Sequence, residues 1–292
     1  MVFDMISSRF LASLALCVWV ACTSTSPAES ATKLPPGKVV VAQVVGKVEA
    51  THPDSSVTLR LRKQDSISEK HTVTTGVASS ATLVFSNGST INLPEKSSLQ
   101  IAEFLQNPFS APFAMAISSG EPTTSSTKLN LIQGEVVCNV KKLRTDEDSS
   151  FAVSTPVGAA GIRGTIFAVS YTPNVNGTDE GIYILSVTEG SVELTDNEGN
   201  KTLVTAGKEV VIRFKTTTDP VTGKTITEIL STELRDIPAD RLNRINEAAD
   251  KGKADSDWVI FDATEDHVLD LLNNFDTPPV AIDPRPVTEV DP

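Results

Sequence analysis

The chain has 292 residues, 39% hydrophobic and 21% charged, with 37 acidic against 25 basic side chains and a formal net charge of −12. That apolar content supports a folded core and excludes wholesale disorder. The acidic balance argues against a nucleic-acid partner, which needs a basic face to neutralise phosphates, and three His with three Cys leave little material for a multi-ligand zinc site.

The first element in chain order is a targeting segment. Arg9 precedes an apolar run over 10–21, broken only by Ser13. The run is shorter than the roughly 20 residues a membrane helix needs, and it matches the apolar region of a signal peptide. Residues 1–21 are therefore read as a signal peptide and 22–37 as a flexible tether. Val20-Ala21-Cys22 resembles the end of a bacterial lipobox, which makes Cys22 a candidate for lipidation. A plain cut near Ala28-Glu29-Ser30 is the alternative, and both stay open. Either way the expected location is extracytoplasmic: the periplasm, or the membrane through a lipid on Cys22. Cys17 leaves with the signal under both readings, so no disulfide framework is expected. Cys138, inside the run Val136-Val137-Cys138-Asn139-Val140, is read as a small core residue.

Residues 38–230 read as an all-β domain, with short Val/Ile/Thr/Phe-rich runs separated by Gly, Asn, Asp and Ser. Ala81, Leu83 and Phe85 share one face of a strand, and Ser86-Asn87-Gly88 follows as a turn. A three-residue loop with Gly88 in the left-handed conformation pairs Leu83 with Ile91 and Ala81 with Leu93, keeping one apolar face whole. Ile182 to Val187 is apolar on both faces except at Ser186, which predicts a central strand. Three segments place a Gly two residues before a Val: Gly46-Lys47-Val48, Gly134-Glu135-Val136 and Gly190-Ser191-Val192. Their spacing is irregular, so they mark the same corner turned three times rather than a solenoid. The fold class is mainly β: a compact β-roll or irregular β-sandwich with a short α-helical C-terminal extension.

The stretch 105–128 interrupts this pattern and reads as a long loop. Its Phe109 and Phe113 are candidate hooks for a partner, or they fold back onto the core. Residues 231–276 read as an acidic helical segment, with helices over Ala239–Asp250 and Glu265–Phe275. Pro238 opens the first, Gly252 closes it and Thr264 caps the second. Residues 236–292 carry 14 acidic and 5 basic side chains, nine of the twelve net negative charges. The Pro-rich end, 277–292, reads as a disordered tail.

No Gly-x-Ser-x-Gly elbow, phosphate loop, His-Glu-x-x-His or Cys-x-x-Cys occurs in the sequence. A non-catalytic protein without cofactor or metal is therefore expected. Asp266-His267 near Asp262 reads as a solvated acidic face rather than a metal pair.

The most distinctive stretch is Thr155-Pro156-Val157-Gly158-Ala159-Ala160-Gly161-Ile162-Arg163-Gly164-Thr165-Ile166-Phe167. It resembles the hallmark of the FecR domain, in which a Thr-Pro leads into Arg-Gly-Thr and a strand. Thr75-Gly76 with the hairpin after it, Gly134-Glu135-Val136, Glu189-Gly190-Ser191-Val192 and Ala206-Gly207-Lys208 agree in order, so the likeness spans about 39–213. The resemblance implies a periplasmic β module that relays occupancy of a TonB-dependent iron-siderophore receptor to a sigma factor. The cytoplasmic anti-sigma segment of that family has no counterpart before the apolar run.

The expectation is thus an exported envelope protein that binds or scaffolds another envelope protein. The alternative is a signalling regulator acting with a TonB-dependent receptor and a sigma factor in iron uptake, and a distant one is a glycan-acting hydrolase using scattered carboxylates. Within the motif, Thr155, Pro156, Gly161, Arg163, Gly164 and Thr165 are either structural or the partner contact. Gly161 and Gly164 are expected to allow a backbone approach that a Cβ would block, with Ile162 pointing inward and Arg163 tying a loop to the core.

Overall fold

The computed structural model describes residues 34–109, 113–114, 120–162, 164–175, 177–220, 222–223 and 225–261. Cys22, Arg163, the signal and tail segments, the second helix over 265–275 and the Asp262/His267 group lie outside them. In chain order the strands are β1 (Val39–Val45), β2 (Val48–Thr51), β3 (Thr58–Arg60), β4 (Ser66–Ile67), β5 (Thr72–Thr75), β6 (Ser80–Phe85) and β7 (Thr90–Leu93). Then come β8 (Ser98–Gln106), β9 (Phe113–Ala114), β10 (Ser125–Asn139), β11 (Ser150–Thr155), β12 (Gly158–Ile162), β13 (Ile166–Thr172) and β14 (Glu180–Glu189). β15 (Ser191–Asp196), β16 (Lys201–Thr205), β17 (Lys208–Thr218) and β18 (Thr225–Asp236) precede the helix α1 (Ala239–Ser256), and β19 (Ile260–Phe261) follows it.

Seventeen of these strands form one continuous hydrogen-bonded network, folded into two layers. β1, β4, β6, β7, β13, β14, β17 and β18 make the first layer. β2, β3, β5, β8, β11, β12, β15 and β16 make the second. β10 belongs to both: residues 125–133 pair with β8 in the second layer, and 134–139 pair with β13 in the first. The core lies between the layers, where Val39, Val41, Leu83, Phe85, Val136 and Leu185 meet Val48, Val73, Leu99, Phe151, Ala160 and Val192. Cys138 is one of these core residues.

The Gly corners are the places where the chain changes layer. Gly46 joins β1 to β2, Gly190 joins β14 to β15, and Gly134 sits at the partner switch inside β10. All three have left-handed φ, at 71°, 79° and 88°. At Gly134 a Cβ would lie 2.5 Å from the Ser97 Cα, and at Gly190 2.5 Å from Thr165 Cγ2, so only hydrogen fits. The amides after Gly46 and Gly134 are held alike: Lys47 N donates to Ser79 Oγ at 2.9 Å and Glu135 N to Ser97 Oγ at 3.0 Å.

The β6–β7 hairpin has the expected register, Ala81 opposite Leu93 and Leu83 opposite Ile91, with Gly88 at φ 95°. β14 is central, between β13 and β17.

Part of the first layer, at β1, β6, β10 and β13, is buried on its outer face as well. α1 lays Ile245 and Ala249 on Val137 and Ala168, while β9 pairs with β19 and Phe261 joins Val40, Ala42, Val84 and Val259. The helix does not stop at Gly252 but runs to Ser256. Gly252 is an interior contact residue, buried where a Cβ would collide with the Asn92 side chain, and Asn92 Nδ2 donates to Ala248 O at 2.9 Å. The β structure continues to Asp236, six residues past 230, because the second half of β18 pairs with β17. The 105–128 stretch is shorter as a loop than its composition suggests, since Gln106 ends β8 and Ser125 opens β10. No helix among the described residues is long and apolar enough to cross a membrane.

Candidate functional site

The outer face of the second layer carries the candidate site, and the Thr-Pro motif builds its floor. Thr155 closes β11. Its hydroxyl accepts from Val157 N and donates to Gly158 O, both at 3.3 Å, fixing the two-residue turn around Pro156. Val157 is buried, and its carbonyl accepts from Asn197 N at 2.9 Å. A Cβ on Gly158 would sit 2.5 Å from the Thr195 carbonyl oxygen. Ala160 and Ile162 point into the core, as the alternation of a strand requires. Gly164, at φ 85°, then carries the chain to the first layer across Lys142, whose Cα would lie 2.9 Å from a Cβ there. Thr165 is buried behind that corner, its carbonyl accepting from Val140 N at 2.9 Å.

Gly161 corrects the expectation for the two motif glycines. Its φ lies outside the left-handed region, it faces solvent, and the nearest atom to a Cβ there is the Glu193 carbonyl oxygen at 3.8 Å. The fold requires no glycine at this point.

Gly161 lies in a transverse row of outward residues set by strand register: Glu103, Lys128, Ala152, Gly161, Glu193 and Leu203. Long side chains stand at both ends, where Lys128 pairs with Glu103 at 3.0 Å and Lys201 with Glu193 at 2.8 Å. The middle of the row presents one methyl group and one hydrogen. There a groove of about 690 Å³ opens, walled by Asp148 and Ser150 on one side and by Ser191, Glu193 and Leu203 on the other. Asp148 ends the short 3-10 turn Thr145–Glu147 in the left-handed region at φ 65°, which holds its side chain at the rim. The groove is lined by serine and threonine side chains, Leu203 and two carboxylates, polar and apolar surface in equal measure, an arrangement suited to recognition.

Phe109 lies elsewhere. It is half-buried against the cluster of Val40, Ala42, Val84, Val259 and Phe261, so the fold itself occupies this candidate hook. Phe113 pairs through its backbone with Phe261 in the β9–β19 ladder. Burial raises the Cys138 thiol far above its ordinary pKa and keeps it protonated. Among the described residues no group of three His, Cys, Asp or Glu is placed to hold a metal ion.

Two features go unread in the sequence. His52 and His71 stand beyond the Thr51–Thr72 pair of β2 and β5 with ring centroids 5.0 Å apart. Burial lowers the His71 pKa and His52 lowers it further. Period-two counting from the β2–β5 register would find the pair only once that register was known. The groove had a faint signal: small residues at alternate positions Ser150, Ala152 and Ser154, then Ala159 and Gly161.

Residues 71–193 match the family model described as FecR protein. Two crystal structures from Parabacteroides distasonis ATCC 8503, each described as a "putative anti-sigma factor", are similar to the chain. The one at 2.50 Å is 14% identical with a TM-score of 0.35, covering 54% of this chain and 59% of its own. The one at 1.65 Å is 13% identical with a TM-score of 0.38, covering 70% of this chain and 91% of its own. This chain thus spans less than two thirds of the first of them. No curated protein matches it.

Proposed function

From a chain that carries a FecR domain over residues 71–193, we propose a non-catalytic signalling regulator on the extracytoplasmic side of the membrane, whose β domain recognises another envelope protein. The observation that carries this reading is the family match, which runs from His71 to Glu193 and so takes in both strands that floor the groove, β11 and β12. The geometry supports the same reading. The first layer is covered by α1 and the β9–β19 pair over β1, β6, β10 and β13, whereas the second offers an open face with a recessed centre. The motif residues apart from Gly161 build the turn, the strand and the crossover, which accounts for the motif as the frame of a recognition surface. Exported from the cytoplasm, such a module acts on transcription through a partner that senses or crosses the membrane.

Deleting the gene and sequencing transcripts tests the reading. A regulator gives a discrete set of changed transcripts that the wild-type gene restores. An unchanged transcript profile, in cells whose envelope fraction still cross-links to the protein, would leave a passive envelope scaffold instead.

A further inference from the structure

We propose that the groove at Gly161 is the docking site for an extended segment of a partner protein that presents a Lys or Arg beside an aliphatic side chain; this rests on the protein-recognition reading above. Gly161 is the first observation. A glycine inside a strand weakens it, because it loses more chain entropy than other residues and offers no side chain to pack. At Gly158 and Gly164 close backbone neighbours account for the glycine, and at Gly161 no such neighbour exists within 3.8 Å. What its missing side chain provides is depth: any Cβ substituent there fills the groove floor. A strand glycine often marks a bulge, a tight bend or the close approach of another group; the β11–β12 and β12–β15 registers run unbroken through Gly161, which leaves the approach of another molecule.

The lining says what that molecule carries. Asp148 and Glu193 stand on opposite walls, and among the described residues no basic side chain lines the groove. Asp148 has no ion pair among the described residues, and the partner of Glu193 is the exposed Lys201, an ion pair that solvent already weakens and an incoming cation can replace. Leu203, 61% exposed on β16, is an isolated aliphatic contact at the rim. Among the described residues β16 pairs with β15 alone, so the rim is also a strand edge. A cation flanked by an aliphatic group meets all of these features. The same carboxylates repel phosphate groups, which sets nucleic acid and phospholipid headgroups aside.

The test pans a display library of random linear peptides against the purified full-length chain and then synthesises the enriched sequences. Enriched peptides should carry Lys or Arg next to Leu, Ile or Val, and their binding should weaken with salt. Gly161→Leu should weaken binding by roughly tenfold or more while leaving the melting curve in place, since the new side chain meets open space. Asp148→Asn combined with Glu193→Gln should weaken it to a similar degree, a second variant that does not depend on how Gly161→Leu folds. Failure to enrich any peptide, enrichment of acidic peptides, or equal binding to the Gly161→Leu and carboxamide variants would each overturn the groove. The two readings fail separately. A changed transcript profile on gene deletion without groove-dependent peptides keeps the regulator and removes the groove. Groove-dependent peptides with an unchanged transcript profile do the reverse.

Discussion

Arg241 on α1 ties itself to the fully buried Glu209 of β17: its Nε stands 3.4 Å from a Glu209 carboxylate oxygen and donates to the Ser186 hydroxyl at 2.9 Å. Ser186 in turn donates to Glu209 at 2.9 Å, and Arg235 Nε donates to the other carboxylate oxygen at 2.9 Å. Arg241 also reaches Glu135 at 3.2 Å, where Arg244 approaches at 3.5 Å. The helix buries few apolar residues, Ile245 and Ala249 among them, so this charged latch fixes its position. A carboxylate this deep is tolerable only while its lone pairs are occupied.

Arg241→Ala should therefore cost about 1–3 kcal/mol in urea unfolding and raise amide exchange across 239–256. Arg241→Lys should recover only part of the loss, because a single ammonium cannot reach Ser186 and both carboxylates in the way the guanidinium fork does. Unchanged stability and exchange in Arg241→Ala would mean that apolar packing alone seats the helix.

The histidine pair predicts acid sensitivity. Burial and the neighbouring His52 hold the folded His71 pKa below its ordinary value of about 6.5. The unfolded chain then takes up the proton first as pH falls. Across that window it binds more protons than the folded chain, so stability rises with pH and is lost as pH drops below about 6.5. Asp54 is the nearby acid, 3.8 Å from His52 Nδ1, and Lys70 lies 3.9 Å from it. Denaturant titrations from about pH 8 to about pH 5 should show a shallower slope for His71→Gln than for wild type. Parallel slopes would remove His71 from the account.

The glycines separate by need. Gly134→Ala forces a left-handed alanine against the Ser97 Cα and should cost at least about 2 kcal/mol. Gly161→Ala should stay within about 0.5 kcal/mol of wild type. Urea midpoints of the two variants, measured side by side, check the ordering, and a reversal would contradict the corner geometry.

Cys138 should be silent to thiol reagents in the native state. It is fully buried, and burial raises its pKa so far that thiolate is scarce. Labelling should proceed at the rate of global unfolding and accelerate in step with added urea. Fast labelling of the native chain would show that the β10 core opens locally.

Much of this was legible in the residues alone. The Leu83–Ile91 register followed from keeping one apolar face whole around Gly88, because a strand has period two and only one loop length preserves the face. The three corners followed from Gly two residues before Val, since left-handed backbone is a local demand that sequence must meet locally. The Thr-Pro turn and the family match lie at the same level.

What tertiary structure decided is which faces are covered and which residues meet across the chain. Gly252 ends no helix, because Asn92, far away in sequence, needs its space. Phe109 packs inward because Val40, Val84 and Phe261 converge beneath it. Glu209 is buried because Arg235 and Arg241 arrive from two other elements. Gly161 faces solvent for the opposite reason: α1 and the β9–β19 pair lie on the first layer and leave the second layer's outer face open. Local pattern fixes how a strand alternates; the covering of either face is set by long-range packing, whose energy depends on surfaces that no short window of sequence contains.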